Sequence, residues 1–186
     1  FTFNMLTIMD GEVMNIGNVP RDYLLAYLLV RLPEAFLLGL ASFLVFGWKP
    51  MLQADRSTRL AWFTVGIAVL FPLGFILLDR PALYNGIRHF TFLLPPLAIF
   101  AGLGLGAAWE RLARWGKTRM ALTAAFVALC LLSLVTLARL HPYQYIYYNH
   151  LAGSLAEAER EWEGDYWSSS LREAADLLEA QVPGVN

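Results

Sequence analysis

The sequence predicts an all-α integral membrane protein: a polytopic bundle of about four transmembrane helices with an extracytoplasmic, mostly helical C-terminal tail. Three observations carry that expectation. The 186 residues are 58% hydrophobic and 16% charged, with mean hydropathy +0.49, whereas soluble domains lie nearer about 45–50% and 25%. Three runs, Leu60–Leu78, Phe90–Trp109 and Met120–Ala138, contain nineteen, twenty and nineteen residues without a charge. Basic residues are dense in alternate connections, as they are in loops on the cytoplasmic side of a bilayer.

Each uncharged run, wound as an α-helix, extends roughly 28–30 Å, the thickness of the hydrocarbon layer. Only a structure that satisfies its own backbone survives there, so the runs are read as helices. The transmembrane region is expected over 23–138, with spans at about 28–48, 60–78, 90–109 and 120–138. The first is the least regular. Arg31, Pro33 and Glu34 interrupt Tyr23–Trp48, and charges are costly at mid-bilayer. The triplet is therefore placed near an interface, with Arg31 and Glu34 paired on one helix face and Ala35–Trp48 descending from it.

Residues 1–22 carry the turn signals Asp10-Gly11, Asn15, Gly17, Asn18 and Pro20 and are expected as an extramembrane loop with room for a short helix. Within 139–186, two helices are expected. One covers Leu155–Trp162. The other follows Ser170, with Glu173 completing a capping box and Pro183 stopping it. In the third span, Gly102 and Gly106 form a GxxxG read as a close helix contact. The overlapping GxGxxA is set aside as a nucleotide fingerprint because no strand precedes it.

Orientation follows from the basic residues. Lys49, Arg56 and Arg59 in one connection, and Arg111, Arg114, Lys117 and Arg119 in another, belong on the cytoplasmic side. The 79–89 loop, the acidic tail after Arg139 and residues 1–22 then face outward, in a plasma (inner) membrane with the C-terminus extracytoplasmic. Asp79 and Arg80 are read as a local ion pair at a helix end. There is no basic leader followed by an apolar core, and both termini read as cuts within a longer chain. The net charge of −1 offers no basic field for nucleic acid. The single cysteine, Cys130, permits no intrachain disulfide, and no Cys/His metal cluster is present.

The outward segments are the candidates for chemistry. Arg88 brings a planar fork suited to phosphate oxygens, and it stands with His89 at an expected helix start, where anions are favoured. From position alone, the plainer reading of both residues is an interfacial anchor. Tyr143, Tyr145, Tyr147 and Tyr148 fit an aromatic belt, but rings and hydroxyls also suit sugars and phosphates, and Asn149 adds an amide. Asp165, in Gly164-Asp165-Tyr166-Trp167, is by default a solvated or capping carboxylate. No HExxH, DxD, P-loop or GxSxG is present, so the residues alone name no catalytic base.

Taken in order, three segments resemble bacterial GT-C type membrane glycosyltransferases, the group that contains protein O-mannosyltransferases and aminoarabinose transferases. They are Tyr84-Asn85-Gly86-Ile87-Arg88-His89-Phe90 with Leu93 to Pro96, then His141-Pro142-Tyr143-Gln144-Tyr145-Ile146-Tyr147-Tyr148-Asn149, then Asp165-Tyr166-Trp167 before a Ser-x-x-Glu helix start. The likeness covers roughly 10–182, as the later part of such a protein. It departs at Gly153-Ser154, where the family often has paired glycines. The resemblance implies transfer of a sugar from a polyprenyl-phosphate carrier to a protein, lipid or glycan acceptor outside the membrane, with no cofactor. It implies a carboxylate base in a first outer loop upstream of this segment. Arg88 and His89 would bind the carrier phosphate with Tyr84 nearby, and Tyr143, Tyr145 and Asn149 would line the cavity. The competing readings are a transporter or permease fragment, a non-catalytic membrane scaffold, and a surface-glycan polymerase or ligase. Transport usually calls for ionisable groups within spans, which the three uncharged runs lack.

Overall fold

Four helical stretches are long and apolar enough to cross a membrane in a computed structural model that describes residues 5–79, 81–112 and 116–181: Glu34–Gln53, Arg56–Asp79, Arg88–Leu112 and Gly116–Arg139. The Asp79–Arg80 pair, Arg114 and the Pro183 stop involve residues outside those described.

The N-terminal segment differs from the expected loop. Leu6–Met9 (β1) pairs antiparallel with Glu12–Asn15 (β2), Leu6 opposite Asn15 and Met9 opposite Glu12. Asp10 and Gly11 both take positive φ, 53° and 75°, as a two-residue hairpin turn matched to strand twist requires. The helix Tyr23–Arg31 (α1) comes next. It buries Tyr23, Leu24, Tyr27, Leu28 and Arg31, a stripe at helical spacing.

Pro33 ends α1. It pushes Leu32 into the extended region (φ −80°, ψ 138°), and a second helix, Glu34–Ser42 (α2), starts beyond it. Arg31 and Glu34 consequently sit on different helices, and the expected pair between them does not form. Glu34 instead accepts from the His150 backbone N–H at 2.7 Å and meets His150 Nδ1 at 2.7 Å. The triplet does mark the start of the first long apolar helix, which begins at Glu34 rather than near residue 28.

That helix is α2, a π-helical turn at Phe43–Gly47 and Trp48–Gln53 (α3). Next is Arg56–Asp79 (α4), whose first turn is capped by the Asp55 carboxylate, which accepts from Ser57 N and Thr58 N. Leu94–Leu112 (α5) opens with Pro95 and Pro96, tolerated in a first turn because the N–H groups there have no intrahelical partner. Gly116–Arg139 (α6) is the last of the four.

Close packing between α2 and α5 occurs one register away from the GxxxG. A methyl on Gly104 would overlap the Gly39 carbonyl oxygen and the Phe43 nitrogen, and one on Gly39 would lie 2.7 Å from the Ala101 oxygen. Added at Gly102 or Gly106, it would meet nothing within 4 Å. The small residues that let the two backbones approach are therefore Gly39, Ala101 and Gly104.

The core of tight packing lies at the end of the bundle where α4 finishes and α5 begins. Tyr23, Tyr27, Leu83, Leu93, Tyr148, Ala158 and Trp162 belong to one buried cluster. In the four long helices only 6–22% of each apolar window is buried within the chain, so their remaining surface is for lipid or another protein to cover. The tail contributes Leu155–Glu161 (α7) and Leu171–Gln181 (α8), close to the expected bounds. The capping box forms at Ser154 and Glu157, heading α7. Ser170 and Glu173 are otherwise engaged, as described below.

Candidate functional site

Arg31 organises the polar end of the molecule. It is buried (8% exposed), and its guanidinium donates to the backbone oxygens of Tyr145 (2.8 Å), Tyr147 (3.1 Å) and Glu163 (2.9 Å) and to the Tyr148 hydroxyl (2.8 Å). The cation also lies 3.8 Å from the Tyr148 ring centroid. A buried charge needs such compensation, and carbonyl dipoles with a ring face supply it here. The aromatic stretch is thus clamped to α1 through its backbone.

Asn149 completes the clamp. It is fully buried, and its Nδ2 donates to Leu29 O (2.6 Å) and Leu32 O (2.7 Å) while Oδ1 accepts from Leu151 N (3.0 Å). Its backbone N–H donates to Val30 O at 2.9 Å. The last carbonyls of a helix need outside partners, and Leu29 O in particular cannot find one at Pro33, which has no N–H. Asn149 therefore caps α1 from a fully buried position, with its side-chain bonds spent inside the protein, where the resemblance implies a place in the cavity lining.

Asp165 is also committed locally. Its carboxylate accepts from Ser169 N (3.0 Å), Ser170 N (2.8 Å), Ser170 Oγ (2.6 Å) and the Tyr145 hydroxyl. Desolvation acts the other way, but the bonds from Ser170, Tyr145 and Ser169 prevail and hold the group far below the usual carboxylate range. This is the capping role expected by default. It draws the Ser170 hydroxyl to Asp165, and Glu173 accepts from the Tyr143 hydroxyl at 2.8 Å. Tyr143 and Tyr145 are half-buried and have their hydroxyls occupied within the protein.

The 84–89 loop carries the groups that are still available. Asn85 and Gly86 adopt positive φ, 57° and 61°, and Gly86 N donates to the buried Tyr23 hydroxyl at 3.1 Å. A side chain at Gly86 would press on the Tyr27 ring at 3.1 Å, so the turn needs glycine for space as well as for φ. Arg88 and His89 follow, both exposed. They begin a short 3-10 segment, Arg88–Leu93, in which Phe90 is non-helical (φ −119°). The α-helix proper starts at Leu94, and Arg88 N and Phe90 N already donate to Asn85 O and Ile87 O. An anion at this point would meet the guanidinium without the aligned helix end that the sequence suggested.

Around Arg88 the segments meet. Its guanidinium lies 4.0 Å from the centroid of Trp167, itself 55% exposed. The Trp167, Tyr166 and Tyr145 rings follow at centroid separations of 5.9 and 5.4 Å, forming an aromatic ledge that leads back to the clamp. Tyr84 packs edge-on against His89 at 4.8 Å. In the amide orientation that satisfies both neighbours, the Asn85 oxygen accepts from Arg88 Nη1 (3.2 Å) and its nitrogen donates to Glu163 Oε2 (3.2 Å). Among the described residues no carboxylate lies within 4 Å of the Arg88 guanidinium nitrogens.

Sequence reasoning missed Arg31 as a clamp and Glu163 as a hub. Glu163 is buried (9% exposed). Its other carboxylate oxygen accepts from the Thr7 hydroxyl of β1, and its main chain binds Arg31 and the Tyr27 and Tyr148 hydroxyls. Burial pushes its carboxyl above the ordinary value, only partly offset by the bond from Thr7. A lone arginine closing an apolar segment was the available signal for Arg31. Nothing in the acidic tail distinguished Glu163 from its neighbours.

Searches against family models, curated proteins and solved structures find no match. The described residues hold no group of three or more His, Cys, Asp or Glu arranged for a metal ion. What the surface offers chemically is an accessible guanidinium with no acid partner among the described residues, an imidazole beside it and an aromatic ledge, all at the polar end of an apolar bundle.

Proposed function

We propose that the chain is part of an integral membrane glycosyltransferase that moves a sugar from a polyprenyl-phosphate carrier to an extracytoplasmic acceptor, and that Arg88 holds the carrier phosphate. The observation that carries this reading is the state of Arg88: exposed, without a carboxylate partner among the described residues, and steadied by Trp167 and Asn85 where the chain enters the third long helix. A guanidinium placed so can take two phosphate oxygens in its fork. Its stem, at the end of an apolar helix, suits a ligand whose tail stays in lipid. His89 and Tyr84 flank the phosphate, and the Trp167–Tyr166–Tyr145 ledge receives the sugar or acceptor. The general base belongs, by the resemblance, to another part of the protein. The alternation of basic loops supports placing this surface outside, and the resemblance to bacterial enzymes supports an inner-membrane location.

The test is transfer from a lipid-linked sugar by the full-length protein in membranes. Arg88→Ala should lower transfer about 100-fold, the usual scale for removing one electrostatic contact to a reacting group, with insertion and thermal stability retained. Arg88→Lys should rescue only part, because an ammonium lacks the fork. Wild-type transfer by Arg88→Ala would overturn the assignment.

A further inference from the structure

The opposite end of the bundle holds a second feature. A cavity of about 560 Å³ opens between the first long helix (α2, the π-helical turn and α3), α4 and α5, with Phe43, Leu44, Ile67, Leu70 and Phe100 among its walls. It falls within the range of about 300–1,000 Å³ typical of ligand clefts. Among its lining residues only Arg59 is charged. Arg59 is exposed, and no described carboxylate lies within 4 Å of it. The nearest acid in sequence, Asp55, engages Ser57 and Thr58 instead.

Dimensions and charge bear on the occupant. Along α4 the lining runs from Arg59 to Leu70, eleven steps or about 16 Å at the rise of an α-helix. That is close to half of a hydrocarbon layer about 30 Å thick. A cleft one leaflet deep with a cation at its rim matches a single amphiphile: a hydrocarbon chain inside and an anionic head at Arg59. Arg59 stands near the start of α4, and Arg88 follows its far end, so this leaflet is the one away from the Arg88 surface.

We infer that the α2–α4–α5 cleft is a binding site for an anionic phospholipid of the leaflet opposite the Arg88 surface, with its acyl chain between Phe43 and Leu70 and its headgroup on Arg59. The site is independent of the proposed transferase chemistry.

Gly66 supplies a clean test, because it lines the cleft and a side chain added there meets nothing within 4 Å. The full chain is placed in vesicles of phosphatidylcholine containing a trace of either phosphatidylglycerol or phosphatidylcholine with a photoreactive chain. Peptides are then mapped by mass spectrometry. Labelling of 59–70 should favour phosphatidylglycerol about fivefold, the preference one basic side chain gives beside an anionic headgroup. Arg59→Gln should abolish the preference while leaving labelling by either probe. Gly66→Leu should reduce labelling at 63–70 by both probes. Equal labelling by the two lipids in the wild type, no labelling at 59–70, or cross-links from this segment to a second copy of the chain would each overturn the inference.

Discussion

Replacing Asn149 by alanine separates two accounts of the aromatic segment. If Asn149 lines a ligand cavity, Asn149→Ala lowers activity and leaves stability alone. The structure predicts the reverse order of effects. The side chain makes three hydrogen bonds from a fully buried position, to Leu29 O, Leu32 O and Leu151 N. Each such bond contributes about 0.5–1.5 kcal/mol net, and a buried partner left unsatisfied costs about 1–3 kcal/mol. Leu29 O has no alternative partner at Pro33, whereas Leu151 N lies nearer the surface and can reach water. The expected loss is about 2–5 kcal/mol, larger than most point substitutions give. Asn149→Asp should be worse than alanine, because it keeps the bond from Leu151 but turns a carboxylate toward two carbonyl oxygens. The assay is denaturant unfolding of the full chain in mild detergent, followed by tryptophan fluorescence with Trp162 buried in the same cluster. A loss below about 0.5 kcal/mol for alanine, within the range of an ordinary surface change, would refute the capping role. So would an Asn149→Asp protein as stable as wild type.

Two further substitutions test packing and charge. Gly104→Ala should destabilise the bundle by about 1–3 kcal/mol, the cost of forcing atoms into a filled contact, while Gly102→Ala should leave thermal stability unchanged or slightly raised; the opposite ranking would restore the GxxxG register. Glu163 has a raised carboxyl pKa, so its contribution to stability is full below the ordinary glutamate value of about 4.3 and is lost as pH rises through the higher folded value. Glu163→Gln should therefore flatten the fall in melting temperature above that pH, and a fall of wild-type size in the variant would contradict the assignment.

The parts legible in the sequence were those fixed by one-dimensional properties. Uncharged runs of membrane length gave the second, third and fourth long helices, because length and apolarity suffice when lipid is the solvent. The tail helices were visible through their spacing, although the capping box fell at Ser154 rather than Ser170. The hairpin at 6–15 was hidden by its shortness, despite the Asp10-Gly11 turn. The contacts that depend on three-dimensional meeting were out of reach. Arg31 and Glu34 are three apart, yet Pro33 sends one to the aromatic tail and the other to His150. Gly102 and Gly106 have the right spacing for a helix contact, but the rotation of α5 presents Ala101 and Gly104 to α2.

The candidate residues divide according to how far their bonding capacity is already used within the protein. A polar group can serve a ligand cheaply only if binding does not strip it from a partner, since the abandoned partner then bears the cost of being unsatisfied. Asn149 would leave two α1 carbonyls bare, and Asp165 would release the turn at Ser169 and Ser170 that leads into α8. Tyr143 and Tyr145 would each leave a carboxylate behind. Arg88 loses at most one bond to Asn85 and keeps its stacking on Trp167, and His89 and Tyr84 make a ring contact that a ligand can share. The aromatic stretch and Asp165 act as the mount, and the loop from Tyr84 to His89 is the part of that surface whose bonding capacity is least used. The mount explains how a loop of so few residues holds an exposed arginine in place: Glu163 fixes Asn85, Asn85 fixes Arg88, and Arg31 fixes the backbone of Glu163. Breaking the last of these links, without touching Arg88, should loosen Asn85 and leave the guanidinium held by the Trp167 ring alone.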